Sequence, residues 1–168
     1  GQNIQARLYG YNLAIDNASM RAVPLAASGR DMYVSSSLGD DANDGLTPQT
    51  PWKSFGNISN RMLAPGDRIF LNRGDIWNEE LYLAGKGTAG SPIEVDAWGA
   101  GPMPRIIRNR MEHDKCMVWD GASHVRIRNL DLRHGKIGIF LRYAGDYNNA
   151  DIQISNCYFE EFTTREDG

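Results

Sequence analysis

Ile127-Arg128-Asn129-Leu130-Asp131-Leu132 is echoed 27 residues on by Ile154-Ser155-Asn156-Cys157-Tyr158-Phe159. Each copy alternates in the manner of a half-buried strand and carries an Asn at its third position. Each is entered by a similar strand, Val125-Arg126-Ile127 in one and Ile152-Gln153-Ile154 in the other. A repeat of this period built from short strands means stacked coils, not a single closed sheet. The alternation predicts that Val125 stacks on Ile152 and Ile127 on Ile154, with their side chains inward. Leu130 and Leu132 would lie over Cys157 and Phe159. Asn129 over Asn156 would form a ladder at a tight turn, because Asn tolerates left-handed backbone and its amide can bond the next Asn in the stack.

Working outward, short apolar runs bounded by Gly and Pro continue the series at 68–72, 80–83, 92–97, 105–108, 116–119, 137–141 and 152–159. Met32-Tyr33-Val34 opens it. Residues 50–62 form the one good helix candidate. Thr50 suits the N-cap, Pro51 the first helical position, and Trp52, Phe55, Ile58 and Met62 share a face. Such a helix would cover the open edge of the strand stack. Residues 1–30 differ: Tyr9, Tyr11, Leu13 and Ile15 alternate as in a half-buried strand, and 24–29 read as a linker. The expected organisation is a strand-and-linker segment or upstream-module tail at 1–30, then the N-terminal coils of an all-β parallel β-helix at 31–168. With only three or four coils countable, the chain is expected to be a fragment, its last coil resting on further coils of the same or another chain.

The 168 residues suffice for one domain with a real core. A net charge of −3 and a pI near 5.6 argue against a nucleic-acid surface. Aromatics at 10% argue against disorder, and no apolar run is long enough to span a membrane. Cys116 and Cys157 read as two buried thiols that pack as small hydrophobes.

Residues 33–35 and 39–54, followed by Pro65-Gly66-Asp67-Arg68-Ile69, resemble the opening signature of secreted right-handed parallel β-helix proteins of the pectin-lyase-like superfamily. Arg73-Gly74-Asp75-Ile76-Trp77, residues 87–93 and Trp98-Gly99 are similar to that family's first coils, so that the likeness covers about 32–162. The resemblance implies a right-handed β-helix with a capping helix, in a protein that is secreted, on the cell surface or periplasmic. It implies a carbohydrate-active protein: a polysaccharide lyase or glycoside hydrolase acting on an acidic polysaccharide, or a non-catalytic glycan-binding, adhesin or tail module.

Outward basic residues would suit an anionic sugar polymer. Arg126, Arg128, His134 and Tyr143 are the candidate substrate-binding residues. Lys136, Arg142 and Asp146, which flank the strand at 137–141, are the candidate catalytic group for proton abstraction next to a neutralised uronate. Each could equally be an ordinary solvated charge. A hydrolase needs two carboxylates, and Asp120, Asp131, Asp146, Glu160 and Glu161 are available without a spacing that selects a pair. Trp77, Trp98 and Trp119 suit either sugar stacking or the core. The acidic turn Asp40, Asp41 and Asp44 suits calcium, or simple turn-capping by Asp side chains.

Overall fold

The computed structural model describes residues 29–142 and 151–160, together with four two-residue strands nearer the start. Of these, β1 (Arg7–Leu8) pairs antiparallel with β2 (Tyr11–Asn12), and β3 (Ile15–Asp16) with β4 (Ser19–Met20). Of the alternation expected over 9–15, Tyr11 and Ile15 fall in these short antiparallel pairs, and Tyr9 and Leu13 lie outside the described residues.

Every other strand lies in one of three parallel sheets. The first holds β5 (Asp31–Val34), β7 (Arg68–Asn72), β10 (Ile93–Trp98), β13 (Val125–Arg128) and β16 (Ile152–Ser155). The second holds β8 (Ile76–Trp77), β11 (Arg105–Ile107), β14 (Asp131–Arg133) and β17 (Tyr158–Glu160). The third holds β6 (Met62–Leu63), β9 (Leu81–Gly85), β12 (Lys115–Asp120) and β15 (Ile137–Arg142). The first turn passes from β5 to β6 without a strand in the second sheet; from β7 on the chain visits the three sheets in that order and repeats, so that β7–β9, β10–β12 and β13–β15 each form one coil. This is an all-β, parallel, solenoid-like fold.

Period-two alternation sends every second side chain inward. In the first sheet Met32, Ile69, Val95, Ile127 and Ile154 are successive register partners. Trp77, Ile106, Leu132 and Phe159 do the same in the second, and Leu83, Trp119 and Leu141 in the third. Up to Ile127, Leu132 and Trp119 these columns merge into one core, with Leu141 packed against it; in the last coil Ile154 and Phe159 are 43% and 45% exposed. The two strands expected at 125–132 and 152–159 each break at the Asn, which turns the corner between sheets. Asn129 and Asn156 have φ of 60° and 48°. Asn156 Nδ2 donates to Asn129 Oδ1 at 2.5 Å, and Asn129 Nδ2 donates to Asp96 Oδ1 at 2.5 Å.

The helix expected at 50–62 shrinks to α1 (Gly56–Ser59), with Phe55 and not Thr50 at its N-cap. The reason is backbone pairing. Trp52 N–H donates to Tyr33 O at 2.9 Å, and Ser35 N–H donates to Trp52 O at 2.8 Å, which holds Trp52 extended beside β5. Tyr33 N–H donates to Gly45 O at 2.7 Å. The free edge of β5 is thus covered by a loop, not by a helix. Trp52, Phe55 and Ile58 are buried, and Phe55 stacks on Trp77 with centroids 5.2 Å apart. Met62 departs from the expected buried face: it points outward from β6 and is 75% exposed.

Buried carboxylates pin the first coils. Asp75 accepts hydrogen bonds from Ser35 Oγ and Ser37 Oγ, each at 2.6 Å. Asp67 accepts from Arg30 NH2 at 2.6 Å and Ala64 N–H at 2.9 Å. Burial alone would raise the Asp67 pKa; the Arg30 guanidinium and the backbone donors outweigh it and hold the carboxyl below its usual range. Cys116 is buried without a disulfide, its thiol pushed up to about 11 by desolvation; Cys157 is half-buried and shifted the same way.

Two expectations follow for stability. Asn129→Ala loses both amide bonds and puts in left-handed backbone a residue that lacks asparagine's tolerance of it, so denaturant melting should show a loss of about 2–4 kcal/mol. Asn129→Gly keeps the backbone and should lose about half as much; equal losses would mean that the corner conformation contributes nothing. Because Asp67 has a depressed pKa when folded, its contribution is present above the unfolded carboxyl value near ~3.9 and lost as pH falls through the folded value. Asp67→Asn should therefore flatten the acid limb of a stability–pH curve and lower stability at pH 7.

Candidate functional site

The outward face of the third sheet carries two columns. Met62, Ala84, Asp120 and Arg142 are successive register partners on β6, β9, β12 and β15. Three strand spacings separate the first from the last, about 14 Å. Beside them run Tyr82, Val118 and Phe140. Because Ala84 is small, the first column dips between Met62 and Asp120. A groove of about 520 Å³ opens there, its walls completed by Pro65, Lys86 and Thr88.

Three glycines shape it. Gly85 has φ 136°, and a Cβ there would come within 2.4 Å of Leu63 O. A Cβ on Gly87 would lie 2.4 Å from His124 O. Gly121 turns the corner after Asp120 with φ 76°. The floor is therefore largely backbone, and Trp119 Nε1 donates to Gly85 O at 2.8 Å from beneath.

The chemistry of the groove centres on Asp120. Its Oδ2 accepts from Tyr82 Oη at 3.2 Å and lies 3.4 Å from Arg142 NH1. The pair stays open to solvent, with the Asp120 side chain 36% and that of Arg142 57% exposed. Partial burial, then the Asp120 carboxylate that accepts its proton, hold the Tyr82 phenol above its usual range. Tyr82 thus remains a donor at neutral pH.

The residues singled out in the sequence are distributed more widely. Arg142 lies beside the groove, its guanidinium directed at Asp120. Lys136 is exposed at the other end of β15, six residues and about 20 Å away along the strand, so the two cannot serve one scissile bond. Arg126 donates to Asp151 at 2.7 Å, and Arg128 to Glu94 at 2.9 Å and Asp96 at 3.2 Å. Both guanidiniums are neutralised on the outer face of the first sheet instead of awaiting a polyanion. His134 turns a corner between the second and third sheets with φ 59°. Tyr143 and Asp146 lie outside the described residues.

Of the carboxylates available for hydrolysis, Asp131 is clamped by Arg105 and Arg133, each Nε at 2.7 Å, and Glu160 pairs with Arg133. Asp146 and Glu161 lie outside the described residues. Trp77 and Trp119 are core, whereas Trp98 packs edge-on against Tyr33 on the outer face of the first sheet.

Asp40, Asp41 and Asp44 serve as turn caps. Asp40 accepts from Ala42 N–H, Asp41 from Lys53 and Ser54 N–H, and Asp44 from Leu46 N–H and Thr50 Oγ1. Among the described residues, no group of three or more His, Cys, Asp or Glu side chains is placed to hold a metal ion.

Asp120 stood among the carboxylates legible in the sequence, but nothing there ranked it. Tyr82 and Met62 gave no signal, since their meeting depends on coil lengths that differ from one coil to the next.

The Asp120–Tyr82 contact is open to direct measurement. The ultraviolet difference between the chain and Tyr82→Phe should report one phenol titrating above about 10. Asp120→Asn should bring that titration down; an unmoved midpoint would show that the carboxylate does not hold the phenol.

No protein-family model matches the chain. A lacto-N-biosidase of Bifidobacterium longum subsp. longum is 42% identical over 78 residues, which make up 44% of this chain and 5% of that protein. The selenomethionine crystal structure of GH136 lacto-N-biosidase from Eubacterium ramulus matches with a TM-score of 0.58 and 27% identity, over 78% of this chain and 24% of that one. The native structure of that enzyme matches with a TM-score of 0.58 and 24% identity, over 79% and 31% of the two chains, and bears on the fold alone. The chain thus spans less than a third of the length of each. These similarities overturn the resemblance to the pectin-lyase-like superfamily. Its turn-rich signature marks coil corners, which stacked parallel solenoids need whatever their ancestry, and the proteins to which this chain is similar are glycoside hydrolases.

Proposed function

We propose that this chain is the coil-forming part of a carbohydrate-active hydrolase that acts on a glycan, and that these coils grip the glycan while the bond is cleaved elsewhere. The observation that carries the reading is the 42% identity with a lacto-N-biosidase over 78 residues. The structural likeness to a second lacto-N-biosidase at 27% identity supports it. Hydrolysis, not elimination, is the chemistry those relatives favour.

The division of labour rests on the carboxylates. Glycoside hydrolysis commonly uses a carboxylic acid with a raised pKa facing a second carboxylate across the scissile bond. Several described carboxylates are instead tied to arginines: Asp31, Asp67, Asp114 and Asp151 to one each, and Asp131 to two. Burial raises the pKa of Glu79, but its Oε1 is engaged by Phe55 N–H at 3.2 Å at the start of α1. Among the described residues, Asp120 is the one carboxylate that lines its groove.

The test is a release assay with p-nitrophenyl lacto-N-bioside and neutral oligosaccharides. It is run on these 168 residues and on longer forms that carry them, with polygalacturonate monitored in parallel for an unsaturated product. Hydrolysis by a longer form, with retention on a glycan column but no turnover for the 168 residues, is the expected result. Unsaturated uronate product, or a longer form that leaves every neutral glycan intact, would overturn the hydrolase reading. Full turnover by the 168 residues alone would overturn the division of labour.

A further inference from the structure

Resting on the glycan reading above, we infer that the groove between Met62 and Asp120 is a binding subsite for one or two neutral pyranose units. A pyranose has an apolar C–H face and a polar hydroxyl edge, and the groove is divided the same way. Met62, Pro65 and Ala84 offer an apolar wall. In the same lining Asp120, the register partner of Ala84, offers carboxylate oxygens and Thr88 a hydroxyl. The volume of about 520 Å³ falls within the usual range for small-molecule sites.

The glycine floor adds shape. A Cβ on Gly85 or Gly87 would strike the neighbouring backbone at Leu63 O or His124 O, so these positions keep the floor low and fix its shape. Next to the groove, Tyr82 and Phe140 are half-buried and outward-facing, with Val118 between them in register and only 4% exposed. That apolar column extends the face on which a second ring would lie.

Charge selects neutral over acidic sugar. Asp120 would repel a uronate carboxylate at the position where the groove is most polar. The guanidinium that might offset this, on Arg142, is already directed at Asp120. Lys86 is an exposed side chain at the rim, where solvent screens it.

The experiment is a ¹H–¹⁵N titration of the 168-residue chain with lactose, lacto-N-biose and digalacturonate. The neutral disaccharides should shift the amides of Gly85, Lys86, Gly87, Thr88 and Gly121. Met62→Asp, a change at an exposed position, should weaken that binding at least tenfold. Asp120→Asn should weaken it about fivefold, with an unchanged melting curve for both variants. Three results would overturn the subsite: groove amides unmoved by neutral sugar, digalacturonate binding more tightly than lactose, or Met62→Asp binding as well as the parent. Binding with these signatures beside a longer form that hydrolyses nothing would sink the hydrolase reading and leave the subsite standing. Hydrolysis by a longer form with no sugar-induced shift here would do the reverse.

Discussion

The whole structure depends on one constraint: parallel strands stacked in register must turn their corners in the same conformation, coil after coil. The left-handed turn at Asn129 and Asn156 meets it. Were either residue to leave that backbone region, the strand after it would shift by a residue and its inward set would face solvent. The amide ladder that runs from Asp96 through Asn129 to Asn156 therefore contributes more than its hydrogen bonds. It fixes where each coil passes from the first sheet to the second, and so brings Leu132 over Ile106 and Phe159 over Leu132.

The outward faces are organised by charge in the same way. On the first sheet Asp31, Arg68, Glu94 and Arg126 succeed one another in register, with Arg128 reaching back to Glu94 and Asp96. Each exposed pair contributes little alone. As a series the pairs penalise a slipped register, which would set like charges side by side. A surface so balanced offers little to a polyanion. That is why the arginines that looked like a polyuronate groove in the sequence are read in the structure as part of the stack.

What the sequence makes legible is whatever repeats locally. The stacking of Val125 on Ile152 and Ile127 on Ile154, the corner asparagines and the strand positions all follow from alternation and a common offset. The helix at 50–62 was misread because Pro51, Trp52 and the 3.6-residue spacing satisfy local helix rules, while Trp52 is claimed by backbone pairing to Tyr33 and Ser35, a contact no local pattern reports. The groove was illegible for a similar reason. Met62, Ala84, Asp120 and Arg142 are separated by unequal stretches of chain and share no motif. Only the register of the third sheet makes them one column.

The two thiols have a practical chemical consequence. Cys116, pushed up to about 11, is almost wholly protonated at neutral pH, and Cys157 is shifted in the same direction. Since the thiolate is the reactive form, both should be slow towards maleimides and mild oxidants. A cysteine introduced at an exposed wall position such as Thr88, with an ordinary pKa of about 8.5, would carry roughly three hundredfold more thiolate than Cys116. The native chain therefore serves as its own silent background for attaching a fluorophore or a spin label at the rim of the groove, without first removing either natural cysteine.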